Sequence, residues 1–352
     1  MRKSVKTRKI RGGTWLALAV MFLFCLLSGC GRAESGEEPG DGEGGRKLKV
    51  AATLFPYYDF VRQVAGDQVE LSLVIPAGMD SHSFEPTPKD IRIMQEADVI
   101  IANGGAMEHW VDQVVDSFDR EDQTVVIMMD HVDAVEEEIV EGMEHSDEGH
   151  GHVHVHGDGE EEAAEPPEED ESRYEIEYDE HIWTSPVNAM RMVDVIAETL
   201  TERDPAHGAM YQAGAAAYLE ELERLDKEFR EVRDSAVHDM IVMGDKFPLR
   251  YFADAYGLRY RAAFSGCSSD TEPSARTIAY LIDKVKEEGL PVIYYLELSS
   301  HRVAEIISEE TGAKPLLFHS CHNVTRREFD NGVTYLELME QNVVNLREGL
   351  YR

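Results

Sequence analysis

Short runs of aliphatic and β-branched residues recur after residue 47, and between them the apolar positions repeat at helical spacing. This alternation is the signature of βαβ units and a mainly parallel sheet. In the first half the strands are expected at Leu48 to Thr53, Val69 to Ile75, Val99 to Ala102 and Thr124 to Met128. Helices are expected around Tyr58 to Val64, Pro88 to Ala97 and Glu108 to Ser117. The pattern breaks between Val135 and Asp179, where Glu, Gly, Asp and His replace periodic apolar positions. It resumes at His181-Ile182-Trp183-Thr184-Ser185-Pro186, where Ser185 is placed to cap a helix starting at Pro186 and running to about Glu202. Tyr211, Tyr218, Leu222, Leu225, Phe229 and Val232 then keep one apolar stripe along roughly twenty residues, as a long helix laid across two lobes requires. A second α/β set follows, with strands at Met240 to Met243, Arg259 to Ala263, Val292 to Glu297 and Leu316 to Phe318, and a closing helix from about Val333 to Leu346. The expected fold class is therefore α/β: two lobes, each with a mainly parallel sheet flanked by helices, joined by one long backbone helix.

The ends and the break change this picture. A basic start (Arg2, Lys3, Lys6, Arg8, Lys9, Arg11) precedes an apolar run from Trp15 to Leu27 that is too short to span a bilayer comfortably, the pattern of a secretory signal. The run closes on Leu27-Ser28-Gly29-Cys30, which resembles the lipobox of bacterial lipoproteins and implies lipidation at Cys30; the competing reading is a transmembrane anchor with an incidental cysteine. The chain divides into a signal (1–30), a Gly/Glu/Ser-rich tether (31–46), a first α/β lobe (47–134), a His/Glu-rich loop (135–179), the end of that lobe with the long helix (180–237) and a second α/β lobe (238–352). The expected location is extracytoplasmic, lipid-anchored to a bacterial membrane, and a monomer is expected.

Charge removes one class of function. Asp and Glu number 69 against 34 Lys and Arg, a formal net charge of −35, so nucleic-acid binding is not expected and cations are attracted. With Cys25 in the signal and Cys30 lipidated, Cys267 and Cys321 remain, either as a disulfide or as two thiols.

Three histidines stand where strands end and loops begin, the edge at which open α/β sheets bind ligands: His82, His181 and His319. Neutral imidazole suits Zn²⁺ and other borderline metals, and ligands drawn from two lobes would clamp an ion between them. A further run, His145, His150, His152, His154 and His156, lies among carboxylates in the loop; such tracts hold transition metals loosely, the alternative being an acidic linker.

Five motifs then carry a family resemblance: Ala52-Thr53-Leu54-Phe55-Pro56, Gly78-Met79-Asp80-Ser81-His82-Ser83-Phe84-Glu85-Pro86, Ala97-Asp98-Val99-Ile100-Ile101-Ala102-Asn103-Gly104, His181-Ile182-Trp183-Thr184-Ser185-Pro186 and Tyr251-Phe252-Ala253-Asp254-Ala255-Tyr256-Gly257-Leu258. Apart from the acidic loop, the chain from Lys47 to Tyr351 resembles the metal-binding solute-binding proteins of zinc and manganese ABC importers, and the His-rich loop resembles the zinc members. The resemblance implies a metal carried between two lobes and handed to a permease and its ATPase. It places His82 and His181 on the first two ligand positions. The third aligns with Gly244, which has no side chain to offer, so Asp245 or a water is expected there; the fourth falls on His319. Glu297 is a weaker candidate, and Cys321 and His322 would approach the ion if the loop register differs, the other reading being a loop disulfide and a solvated histidine.

The expected function is capture of Zn(II) as transported ligand and its delivery to an ABC importer. The alternatives are manganese or another transition metal in the same role, or a surface metal-scavenging adhesin. A zinc hydrolase is not expected, because no His-Glu-x-x-His helix occurs.

Overall fold

The computed structural model describes residues 46–143, 178–266 and 272–351. Its first part runs β1 (Leu48–Ala52), α1 (Phe55–Ala65), β2 (Val69–Leu73), α2 (Pro88–Glu96), β3 (Val99–Ala102), α3 (His109–Asp116) and β4 (Thr124–Ile127). All pairings are parallel, in the order β2-β1-β3-β4. β3 is buried along its whole length, as a central parallel strand covered on both faces must be.

Two helices follow, α4 (Pro186–Arg203) and α5 (Gly208–Asp234). Ser185 does occupy the cap position of α4 with extended backbone and Pro186 opens the helix, but the Ser185 side chain makes no capping hydrogen bond. In α5, all six apolar residues of the expected stripe are buried.

The second part runs β5 (Met240–Phe247), α6 (Arg250–Tyr256), β6 (Arg259–Ser265), α7 (Ala275–Glu288), β7 (Val292–Tyr295), α8 (Arg302–Thr311), β8 (Lys314–Leu317), α9 (Arg326–Asp330) and α10 (Tyr335–Tyr351). Its parallel sheet has the order β6-β5-β7-β8, repeating the topology of the first. Several strands end elsewhere than expected, β2 at Leu73 and β6 at Ser265 among them, and two of these departures bear on the cleft. β5 continues past Met243 to Phe247, across a register shift between Met243 and Lys246. β7 stops at Tyr295, before Glu297, and the chain then turns through Leu298 at φ 60°.

In both sheets the strand order reverses between the first and third strands, β1/β3 and β5/β7, and open parallel sheets bind ligands beyond the carboxyl ends at such a point. One buried cluster spans both halves, taking in Tyr57 and Phe60 of α1, Trp183, Leu222 of α5, Phe318 and Tyr335. A smaller one, with Leu281, Ile293 and Ile307, backs the second sheet alone. The two lobes thus share a core, with α5 packed against α1, α4, α6 and α10.

Candidate metal centre

The loop after β2 is held down by buried Val74 and Ile75, turns at Gly78 with φ 87°, and presents His82. Asp80 accepts the His82 backbone N–H at 3.0 Å, fixing that turn. His181 arrives on a segment tied to both lobes. Its neighbour Asp179 donates its N–H to the Val135 carbonyl and accepts the Tyr251 hydroxyl of α6 at 2.7 Å on its own carbonyl. Glu180 accepts the backbone N–H groups of Ala106 and Met107. Gly105 (φ 80°) is required there, because a Cβ would lie 2.3 Å from the Glu180 carboxylate. His181 is 1% exposed, and its Nδ1 lies 3.1 Å from Asp179 Oδ1. A carboxylate on Nδ1 fixes the tautomer that leaves the Nε2 lone pair free to meet a metal.

The third imidazole is that of His322, in the loop after β8. Trp183 stacks on its ring at 5.6 Å and donates its indole N–H to the Ser320 carbonyl at 2.9 Å. The Ser81 hydroxyl meets His322 Nε2. Asn323 clamps the two loops together, donating both amide hydrogens across the cleft to Pro76 O (2.9 Å) and Met79 O (2.8 Å).

The three ring centroids are 5.6 Å (His82 to His181), 5.5 Å (His82 to His322) and 6.0 Å (His181 to His322) apart. With Zn–N of about 2.0–2.1 Å and tetrahedral angles, imidazole centres around one zinc should stand about 5 Å apart. The centroid separations thus stand close to that value. Ligand atoms of Asp80, His82 and His322 all lie within 4.8 Å of one another; His181, whose ring centroid is within 6.0 Å of both histidines, borders that set without belonging to it. Burial, with His181 close by, pulls the His82 imidazole down to about 4. Burial, with His82 and His181 next to it, takes His322 well below its usual value. Neutral rings are the form that binds a metal.

His82, His181 and Asp245 line one cavity of about 410 Å³, together with His322. Asp245 is not in the imidazole group among the described residues; its Oδ1 accepts the Lys246 N–H at 2.8 Å. His319 is 3% exposed and turned into the core. Its N–H and carbonyl bond the Asn342 side chain at 2.7 Å each, its Nδ1 accepts the Cys321 N–H at 2.9 Å, and Glu297 Oε1 lies 3.4 Å from that nitrogen. Glu297 lines the cavity but is held by Ser320, from N–H (2.8 Å) and hydroxyl (2.5 Å). Cys321 is a buried thiol in left-handed backbone (φ 59°). Cys30, Cys267 and the five loop histidines (His145, His150, His152, His154, His156) lie outside the described residues, and with Cys267 the disulfide.

Two four-stranded parallel sheets, a long helix between them and imidazoles converging at their carboxyl edges define a two-lobed solute-binding protein of the metal-binding class. The chain belongs to the family described as zinc-uptake complex component A, periplasmic, which matches residues 50–349. It is 33% identical over 341 residues to the high-affinity zinc uptake system protein ZnuA of Bacillus subtilis, covering 96% of this chain and 98% of that protein. It is 31% identical over 304 residues to the zinc-binding lipoprotein AdcA of Streptococcus pneumoniae, covering 86% of this chain but only 56% of AdcA. Among solved structures it resembles the metal-dependent lipoprotein YcdH of Bacillus subtilis, with TM-score 0.68, 29% identity, and coverage of 87% of this chain and 100% of that one. Zn(II)-bound AdcA of Streptococcus pneumoniae gives TM-score 0.67 and 28% identity, with coverage of 87% and 58%.

Proposed function

We propose that this protein captures Zn²⁺ in the cleft through His82, His181 and His322 and delivers it to the permease of an ABC importer driven by its ATPase. The observation that carries the reading is the convergence of three imidazoles, contributed by loops of both lobes, to centroid separations of at most 6.0 Å. Imidazole-rich coordination favours zinc over manganese, which takes carboxylate and water more readily. Asp80 is the nearest carboxylate to complete the set, with Asp245 facing the same cavity. The metal is cargo, bound and released unchanged, so the site needs no general base beside an open position.

The proposal extends to the chain's setting: a signal over 1–30, lipidation at Cys30, a tether over 31–46 and an extracytoplasmic monomer held at the membrane. Among the described residues no helix is long and apolar enough to cross a membrane. The lobe boundaries at 47–134, 180–237 and 238–352, and the role of 135–179 as a loop that holds extra metal, belong to the same proposal. Equilibrium competition among Zn²⁺, Mn²⁺, Cu²⁺ and Ni²⁺, followed by elemental analysis, tests it. One tightly held zinc per chain is expected, and preferential retention of manganese would overturn it. Deleting 140–172 should lower total zinc stoichiometry and leave the tight site intact.

A further inference from the structure

Zinc can reach an imidazole through either ring nitrogen, and the hydrogen bond made by one decides which is left for the metal. At His181 Asp179 stands on Nδ1, at 3.1 Å. At His322 the bonded nitrogen is the other one: Nε2 meets the Ser81 hydroxyl, and among the described residues Nδ1 has no hydrogen-bond partner.

The direction of the Ser81 bond follows from what stands behind it. Ser81 Oγ also lies 2.7 Å from Met107 Sδ. A thioether sulfur accepts and has no hydrogen to give, whereas a hydroxyl has one hydrogen and two lone pairs. If Ser81 gave its hydrogen to His322, its oxygen would face the sulfur with no proton between them. The hydroxyl therefore donates to Met107 and accepts from the ring, which puts the imidazole hydrogen on Nε2 and the lone pair on Nδ1.

Both partners are held in place. Ser81 is 1% exposed and Met107 5%, and Glu180, next to His181, accepts the Met107 N–H at 2.8 Å. Ser81 is absent from the cavity wall, although Asp80, His82 and His322 all line it. The Nε2 edge is thus turned into the protein, and the Nδ1 edge is left for the cavity.

Resting on the three-imidazole reading above, we infer that His322 takes zinc through Nδ1, with Ser81 of the first lobe as its positioning residue and Met107 setting the direction of the Ser81 hydroxyl. His181 and His322 then offer opposite ring nitrogens to one ion.

Long-range proton–nitrogen correlation spectra of the purified, isotope-labelled chain test this, with the His322 signals assigned by their loss in His322→Ala. Without metal, His322 should show a protonated, pyrrole-type Nε2 and a pyridine-type Nδ1. On titration with zinc the Nδ1 resonance should move while the Nε2 hydrogen persists. Ser81→Ala should mix the two tautomers and weaken zinc binding by about tenfold, the usual cost of losing a partner behind a metal ligand. Met107→Leu, which keeps the apolar volume, should mix them with the hydroxyl still present. A hydrogen on Nδ1 in the metal-free parent, zinc attaching at Nε2 of His322, or a parent-like tautomer in either variant would each overturn the inference and leave the three-imidazole site standing. The first two are read on the parent chain, so a variant that fails to fold does not remove the test. Zinc bound with neither His322 nitrogen perturbed would take down both readings.

Discussion

At the scale of single residues, His181 shows how burial and hydrogen bonding prepare a ligand. Its ring is inaccessible except toward the cleft, and Asp179, itself buried, holds Nδ1 and the backbone N–H together. Asp179→Asn would replace the charged acceptor and weaken zinc binding by about tenfold, the usual cost of losing a partner behind a metal ligand; calorimetry with an unchanged affinity would speak against it. The placing of His82 and His181 at the cleft was legible because each sits in a motif with a fixed place in the fold. The choice between His319 and His322 was not, because three residues of loop decide it. The chain passes through Cys321 in the left-handed region, and His319 is taken up by Asn342 and the Cys321 N–H. No periodicity announces such a turn; the only signal was the second imidazole three positions on. His322→Ala should therefore weaken zinc binding by about tenfold or more, whereas His319→Ala should lower thermal stability and leave affinity near the parent value. Equal losses of affinity in the two variants would count against the assignment.

At the scale of elements, the site is made by what strand ends and loops are forced to do. The extension of β5 through its register shift brings Asp245 and Lys246 to the cavity, and Gly244 is dictated by the close approach of α8. The sequence pattern gave out at Met243, since alternation cannot reveal a shifted register. Asn323 bridges the loops that bear His82 and His322, so Asn323→Ala should loosen their relative position and reduce zinc affinity by roughly tenfold without touching a ligand. Isothermal titration of that variant showing parent-like affinity would mean that the loops are held by packing alone.

The short turn before α3 carries Glu108, whose carboxylate accepts the N–H groups of Asn103 (2.6 Å) and Gly104 (3.0 Å). Burial raises it to about 7 from the usual 4.5. Between those values the folded protein keeps a proton that the unfolded chain has lost, so this contribution to stability is complete below about 4.5 and disappears as the pH rises through about 7. Glu108→Gln, neutral throughout, should be more stable than the parent at about pH 8 by roughly 1–3 kcal/mol and little different at about pH 5. Urea denaturation at both pH values reads this, and a parallel pH dependence in the two proteins would refute it.

At the scale of the whole molecule, the two lobes are not free to swing. Their cores merge through α1, α5 and α10, and Asp59 sits buried at the junction. It accepts the Tyr335 N–H of α10 at 2.7 Å and is paired with Arg62, which also donates to the Val333 carbonyl at 2.7 Å. Tyr335 in turn donates its hydroxyl to the Trp183 carbonyl at 2.8 Å, beside the candidate metal centre. The two-lobed α/β architecture and the long helix were readable from strand–helix alternation and the stripe of α5. This cross-lobe network was not, since it joins residues more than 270 positions apart. Zinc should therefore act locally, changing the solution radius of gyration by less than about 1 Å. A larger compaction in small-angle scattering would indicate a hinge that this junction forbids.

Anomalous diffraction from crystals of the zinc-loaded protein tests the central claim most directly. A single peak about 2.1 Å from one nitrogen each of His82, His181 and His322 is the expected result. A peak ligated by His319, or one reaching fewer than two of those three rings, would contradict it.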